Sequence, residues 1–312
     1  MSQRISVSIV QARPVYYDLK ASLEKAVDLI TQAAQAGARL VVLGETWLPG
    51  YPMWMDYCPG AVIWDNPATK DVFLRLHQNS VAVPGEETAL LGKLAKSLNI
   101  VICIGINEKA TVGPGQGTLY NTLLTFDATG EIINHHRKLM PTYGERLVWG
   151  PGDAVGLCGV DSAVGRIGGL ICWEHWMPLP RQILHNSGEQ IHVAAWPGIN
   201  EMHQVASRHY AFEGRCFVLA AGSLMRGSDL PSELEFPPEL ADDPDQLIIR
   251  GGSAIIAPDG RYLAGPVFNE ETIISAEIDL SEIVREQLAL DVTGHYARPE
   301  LFELTVLRRR NE

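Results

Sequence analysis

The chain has no Cys-x-x-Cys pair, no basic cluster before Arg308, Arg309 and Arg310, and no apolar run near transmembrane length. Each absence removes a class of function. The five cysteines (Cys58, Cys103, Cys158, Cys172, Cys216) are odd in number and scattered. That speaks against a disulfide framework and for a reduced, cytoplasmic protein. With 37 acidic against 25 basic residues the net charge is −12. Such a balance disfavours nucleic acid and anionic membranes and suits small neutral ligands. No signal peptide is expected, because the N-terminus reads straight into a strand pattern. No segment reads as a linker, so residues 1–290 are expected to form a single domain and 291–312 a tail. What is present, 312 residues of which 46% are hydrophobic, suffices for a sizeable core.

The periodicity is that of an α/β protein. Residues 5–10 read as a strand, and Asp18 is placed to cap a helix. In that helix Leu19, Leu23, Ala26, Val27, Ile30, Ala33 and Ala34 recur at helical spacing until Gly37. Residues 40–44 make a short buried strand, completing a βαβ unit. Segment 47–64 shows too little periodicity for an element, a helical region ends near Asn99, and 100–106 is again apolar. Two hairpins follow the same grammar, one over 119–137 turning at 127–130, the other over 253–264 turning at 258–260. Between them, strands at 167–171, 191–196 and 216–221 alternate with helices. The pattern predicts mixed sheets in two related halves, packed face to face and covered by helices. Residues 224–246, long, proline-rich and acidic, are expected outside the regular layers. The tail from Asp291 regains strand-like residues and is apolar enough to dock on something.

Three polar residues share one position, the carboxyl end of an apolar strand: Glu45 after LVVLG, Lys138 after EIINHHR and Cys172 after IGGLI. In α/β sheets that edge is where sites are built. Cys172 also stands just before Pro178 and Pro180, which open a helix. Nearby backbone N–H groups and a helix dipole are expected to favour a thiolate there. A cysteine nucleophile needs a base, and a glutamate shielded from water can serve at neutral pH. A lysine beside them stabilises thiolate and tetrahedral anion alike. Glu145, seven residues past Lys138, returns a second carboxylate. His135 and His136, adjacent on a strand, point to opposite faces and cannot easily share a metal. Cys172, Glu174 and His175 lack a second ligand pair for zinc, so no metal is expected. Glu213 reads either as a buried carboxylate supporting the site or as a solvated helix residue.

The blocks GETWLPGYP, HRKLMPTYGER, GGLICWEHWMPL and DVTGHYARPELF resemble the nitrilase superfamily, and within it the nitrilase branch. The resemblance covers essentially the whole chain. It implies a four-layer α-β-β-α sandwich, no cofactor, and dimers that extend into spiral filaments. It also implies catalytic roles for Glu45, Lys138, Cys172 and Glu145 in hydrolysing a nitrile to a carboxylic acid and ammonia through a cysteine thioimidate and thioester. The Trp173 backbone N–H is then an anion donor, and His175 stands where many nitrilases have asparagine. The aromatic loop after Glu45 places Tyr51 and Trp54 either along the acyl pocket or in core or interface packing. The same residues also suit an amidase or N-carbamoyl hydrolase, and an inactive scaffold subunit is the reading from another class.

Overall fold

The computed structural model describes residues 4–113 and 115–310, folded as two seven-stranded mixed sheets. The first half contributes β1 (Arg4–Gln11), α1 (Leu19–Gln35), β2 (Leu40–Leu43), α2 (Trp54–Tyr57), α3 (Pro67–Gln78) and β3 (Val81–Ala82). It continues with α4 (Glu86–Leu98), β4 (Val101–Lys109), β5 (Leu119–Phe126) and β6 (Ile132–Arg137). The second half runs β7 (Val160–Ser162), β8 (Gly165–Ile171), α5 (Pro178–Asn186), β9 (Ile191–Ala195), α6 (Glu201–Gly214) and β10 (Phe217–Ala221). It closes with β11 (Leu224–Arg226), β12 (Leu247–Ile256), β13 (Tyr262–Phe268), β14 (Thr272–Asp279) and α7 (Ser281–Gln287). Strand order is β14-β1-β2-β4-β5-β6 in one sheet, with β3 on β4, and β11-β12-β10-β9-β8-β7 in the other, with β13 on β12. Each sheet has a parallel centre, β1/β2/β4 or β8/β9/β10, edged by the hairpins read from the sequence.

The layers follow from the apolar pattern. Asp18 caps α1 by accepting from the Ala21 N–H, and Leu19, Ala26, Ile30 and Ala33 form its buried stripe. Full burial of Ile30 contributes about 2 kcal/mol of transfer free energy. α1 and α4 cover the outer face of the first sheet. The inner faces of both sheets, with α5 and α6 behind the second, enclose the largest apolar cluster. The result is the expected α-β-β-α sandwich. At the carboxyl ends of the strands the two sheets nearly touch. The Glu45 N–H donates to the Trp196 carbonyl at 3.2 Å. A Cβ on Gly44 would lie 2.9 Å from that carbonyl oxygen and 3.0 Å from that of Ala221, so only glycine fits.

Three local expectations are corrected. Segment 224–246 joins a layer only at its start, as β11 paired with β12; residues 227–246 carry no strand or α-helix, as expected, yet they bury Leu230, Leu234 and Leu240 in a side cluster. Its spaced leucines, rather than its prolines and acids, decide where it goes. Segment 47–64 contains the one-turn helix α2, which buries Trp54 and Met55. The tail forms no strand over 291–310, and Leu301, Phe302, Leu304 and Leu307 stay exposed. Arg310 tethers its end, donating to Asp153 at 2.8 Å and to the His135 carbonyl at 2.9 Å.

Candidate active site

Glu45, Lys138, Glu145 and Cys172 meet where the two sheets approach. Glu45 leaves the end of β2, Lys138 the end of β6 and Cys172 the end of β8, while Glu145 lies on a 3₁₀ turn, Tyr143–Leu147. The three turns are strained at non-glycine residues with positive φ: Thr46 at 44°, Tyr143 at 44° and Cys172 at 52°. Backbone of this kind persists where packing over-determines it, and it clusters at functional sites. Cys172 opens a five-residue 3₁₀ turn, Cys172–Trp176, and α5 begins only at Pro178. The helix dipole expected at the thiol is therefore six residues away.

Lys138 Nζ donates to Glu45 Oε1 at 2.9 Å and to both oxygens of Glu145 at 2.9 and 2.7 Å. Asn121 Nδ2 donates to the same Glu45 oxygen at 2.6 Å, and the Tyr51 hydroxyl to Glu145 Oε1 at 2.7 Å. The Thr142 N–H donates to Glu145 Oε2 at 2.6 Å. Glu45 Oε2, by contrast, is buried without a hydrogen-bond partner. Ligand-capable atoms of Glu45, Glu145 and Cys172 all lie within 4.8 Å of one another. Two carboxylates and a sulfur could hold a metal, but the Lys138 ammonium already stands between the carboxylates as their cation.

Burial sets the proton distribution. It raises Glu45 to about 7, against the opposing pull of Lys138. Burial disfavours the Lys138 ammonium, yet Glu45, Cys172 and Glu145 outweigh that and raise it, so it stays charged. Burial, aided by Glu45, pushes the Cys172 thiol well up, while Lys138 and the Trp173 backbone N–H pull it down. The resting group is a thiol, not the thiolate expected from the sequence, because the desolvated sulfur sits beside two carboxylates. The arrangement can therefore do one thing well. A free oxygen of a base with a near-neutral pKa takes the thiol proton as the sulfur attacks, and a fixed ammonium meets the anion that develops. Only 4% of Cys172 is exposed, so the chemistry takes place away from bulk water.

The other expected site residues divide. Tyr51 is bound to Glu145 and packs edge-on against Trp149, with ring centroids 5.6 Å apart. Trp54 is fully buried in the side cluster that also holds Tyr51, Trp149 and Leu230, its Nε1 without a partner. The Trp173 side chain is half exposed, and only its backbone N–H acts on the sulfur. His175 is not brought to the carboxylates. Its Nδ1 lies 2.7 Å from the Cys172 carbonyl, and its ring stacks on Trp196 at 4.7 Å. Glu213 is half buried, pairing with Arg181 at 2.8 Å. His135 and His136 do point apart, to Glu108 at 2.7 Å and Glu174 at 2.9 Å.

Two residues escaped the sequence reading. Asn121 orients the base from the middle of β5, and its only signal was a polar side chain in an apolar strand. Glu174, considered before only as a zinc ligand, is a buried staple. It accepts from the Leu139 N–H and the Ile171 N–H, both at 2.7 Å, and from His136. The backbone next to Lys138 and the backbone next to Cys172 are thereby fixed to one carboxylate, which these partners hold below its usual range despite burial.

Comparison with known proteins shows the family and the fold. The carbon-nitrogen hydrolase family profile matches residues 6–285. The chain is 41% identical over 307 residues to "Nitrilase 2" of an unknown prokaryotic organism, covering 97% of this chain and 93% of that one. It is 38% identical over 305 residues to an aliphatic nitrilase of Sinorhizobium fredii (strain HH103), covering 97% and 96%. A carbon-nitrogen hydrolase from Helicobacter pylori G27 shares the fold with a TM-score of 0.70 at 22% identity, covering 91% of this chain and 92% of that one. On motif, fold and sequence together, the chain belongs to the carbon-nitrogen hydrolase family, on its nitrilase branch.

Proposed function

We propose that the protein is a cofactor-independent nitrilase that converts an organic nitrile and two waters to a carboxylic acid and ammonia. The observation that carries the reading is the unpartnered Glu45 Oε2 in the cluster with Cys172, its other oxygen pinned by Lys138 and Asn121. As the sulfur adds to the nitrile carbon, the thiol proton passes to Glu45 and on to the nitrile nitrogen, giving a thioimidate. Water adds with its proton taken by Glu45, and Lys138 and the Trp173 N–H stabilise the tetrahedral centre. The C–N bond breaks, the nitrogen leaves as ammonia, and a thioester remains. A second water, activated in the same way, releases the acid and restores the thiol. Glu145 holds Lys138 and positions water, and Tyr51 and Trp54 shape the acyl side.

If the tetrahedral centre expels sulfur instead of ammonia, an amide leaves. Similarity to a bifunctional nitrilase/nitrile hydratase of Nicotiana tabacum, 39% identical over 305 residues, makes that partition worth measuring. A panel of aliphatic, aryl and arylacetonitriles, assayed for ammonia, acid and amide beside the matching amides, tests the proposal. Turnover of amides or N-carbamoyl compounds without turnover of nitriles would replace it with the amidase reading.

Residues 1–290 are taken as one hydrolase domain and 291–312 as a tail at a subunit interface of a homodimer or larger particle, extending in principle to a filament. The exposed Leu301, Phe302, Leu304 and Leu307 support this, since a lone subunit leaves them in water. Cytoplasmic location belongs to the same reading. Among the described residues no helix is long and apolar enough to cross a membrane. Light scattering of the intact chain and of one ending before Gly294 tests the assembly; a monomer of full activity removes it.

A further inference from the structure

Behind Cys172, on the side away from Glu45, lies a second buried polar network that the mechanism above does not use. His175 Nδ1 is 2.7 Å from the Cys172 carbonyl oxygen, and His175 Nε2 is 3.0 Å from His192 Nε2. His192 Nδ1 is 2.9 Å from Glu189 Oε2, while the Tyr210 hydroxyl donates to Glu189 Oε1. Arg181 fastens the turn from outside, donating to the His175 carbonyl at 3.0 Å and to Glu213 at 2.8 Å. Room for the chain is made by glycine. A Cβ on Gly168, which faces His192 in the sheet, would lie 2.1 Å from Glu189 Oε2.

The protons in this chain can be counted. A carbonyl oxygen only accepts, so His175 Nδ1 carries a hydrogen. The contact between the two rings needs one hydrogen, and so does the contact between His192 and the Glu189 carboxylate. Three contacts therefore need three hydrogens, and two neutral imidazoles bring two. Burial and the facing His192 keep His175 itself neutral. The count places the surplus proton on the contact between His192 and the ionised Glu189, where the carboxylate holds it against a burial that on balance lowers His192. If it is lost, one of the three contacts breaks, and the contact to the Cys172 carbonyl is among them. That carbonyl belongs to a residue held at φ 52°, where the backbone needs outside support.

We propose that His175 is a positioning residue for the nucleophile, its Nδ1–H fixing the Cys172 carbonyl. The proton shared by His192 and Glu189 holds His175 in the tautomer that makes this bond. Charged and titratable groups facing the pair are Tyr210 and Glu213 on α6, His185 and Arg181 on α5, Glu174 in the 3₁₀ turn and Cys216 before β10. The inference rests on Cys172 being the nucleophile.

The test uses the full-length protein and a turned-over nitrile, with pH profiles of kcat and KM. His175→Ala removes the donor and should lower kcat roughly 100-fold, the scale of a misplaced reacting group, with KM within about twofold. His175→Asn keeps an N–H donor that needs no tautomer. It should recover about tenfold of that loss, and its alkaline limb should move up by about one pH unit relative to wild type. His192→Gln, which donates to His175 but cannot titrate, should shift the limb in the same direction. A His175→Ala enzyme with wild-type kcat overturns the proposal. So does an alkaline limb unchanged in both His175→Asn and His192→Gln, which can be read even if the alanine variant fails to fold. Cys172→Ala assayed in parallel separates the premises. Activity there removes the nucleophile, whereas an inert Cys172→Ala beside an unaffected His175→Ala removes only this inference.

Discussion

Two buried networks flank Cys172, and they treat their carboxylates in opposite ways. In front, Glu45 is raised to about 7 by burial and keeps one oxygen without a partner. Behind, Glu189 is equally buried, yet His192 and His185 carry it down to about 2, and both of its oxygens accept hydrogen bonds. Burial alone therefore does not make a carboxylate reactive. What distinguishes Glu45 is an incomplete set of partners, which leaves the desolvation penalty unpaid and an acceptor free. A completed set converts the same penalty into rigidity. The front network is built to change its protonation, and the rear one to keep a backbone still.

The contrast can be broken at several points. The largest effect is expected from Cys172→Ala, which should lower nitrile turnover by about 10⁴-fold or more while leaving the far-UV spectrum and the melting temperature nearly unchanged. Ammonia release measures it, and retention of more than a trace of activity ends the covalent mechanism. Next, Glu45→Gln should cost roughly 10³-fold in kcat, typical for loss of a general base. Because Glu45 accepts a proton only as a carboxylate, wild-type activity should fall as pH drops through about 7, and the residual rate of the variant should lack that limb. An unchanged acid limb assigns it to another group.

Lys138→Ala should be nearly as damaging. In addition, alkylation of Cys172 by iodoacetamide near neutral pH should slow by about tenfold, since the ammonium is among the influences lowering the thiol. Equal alkylation rates would detach Lys138 from the sulfur. The rear network should respond in another quantity. Glu189→Ala leaves His192 and Tyr210 without their acceptor and should cost about 3 kcal/mol of stability, read from urea unfolding. The sign with pH follows from the lowered carboxyl. The stabilisation by Glu189 is fully present above its ordinary value near 4.5 and is lost as pH falls towards about 2. If Glu189→Ala unfolds at the wild-type urea midpoint, the two networks do not differ as described.

The sequence disclosed the front network better than the rear. Glu45, Lys138 and Cys172 each end an apolar strand, and that local grammar can be read within ten residues. The α1 cap and stripe and both hairpins were legible for the same reason. Asn121 was not, because its bond to Glu45 spans 76 residues and joins strands that are not neighbours in the sheet. His192 and Glu189 looked like an ordinary strand and the turn before it, since nothing local marks the space that Gly168 leaves for them. The state of the Cys172 thiol was misread because desolvation depends on what the opposite sheet brings, and no single strand carries that information. The burial of Leu230, Leu234 and Leu240 was missed by weighting the prolines of segment 224–246 above its leucines.

The near-contact at Gly44 has a kinetic side. Glu45 and Lys138 belong to one sheet and Cys172 to the other, and the sheets meet at Gly44 with no room for a methyl group. Neither half carries a working set of groups by itself, so during refolding catalysis cannot return before the halves dock. Recovered turnover is thus a clock for docking, and it should lag behind the recovery of secondary structure in either half. Gly44→Ala, by wedging the halves apart, should lengthen that lag.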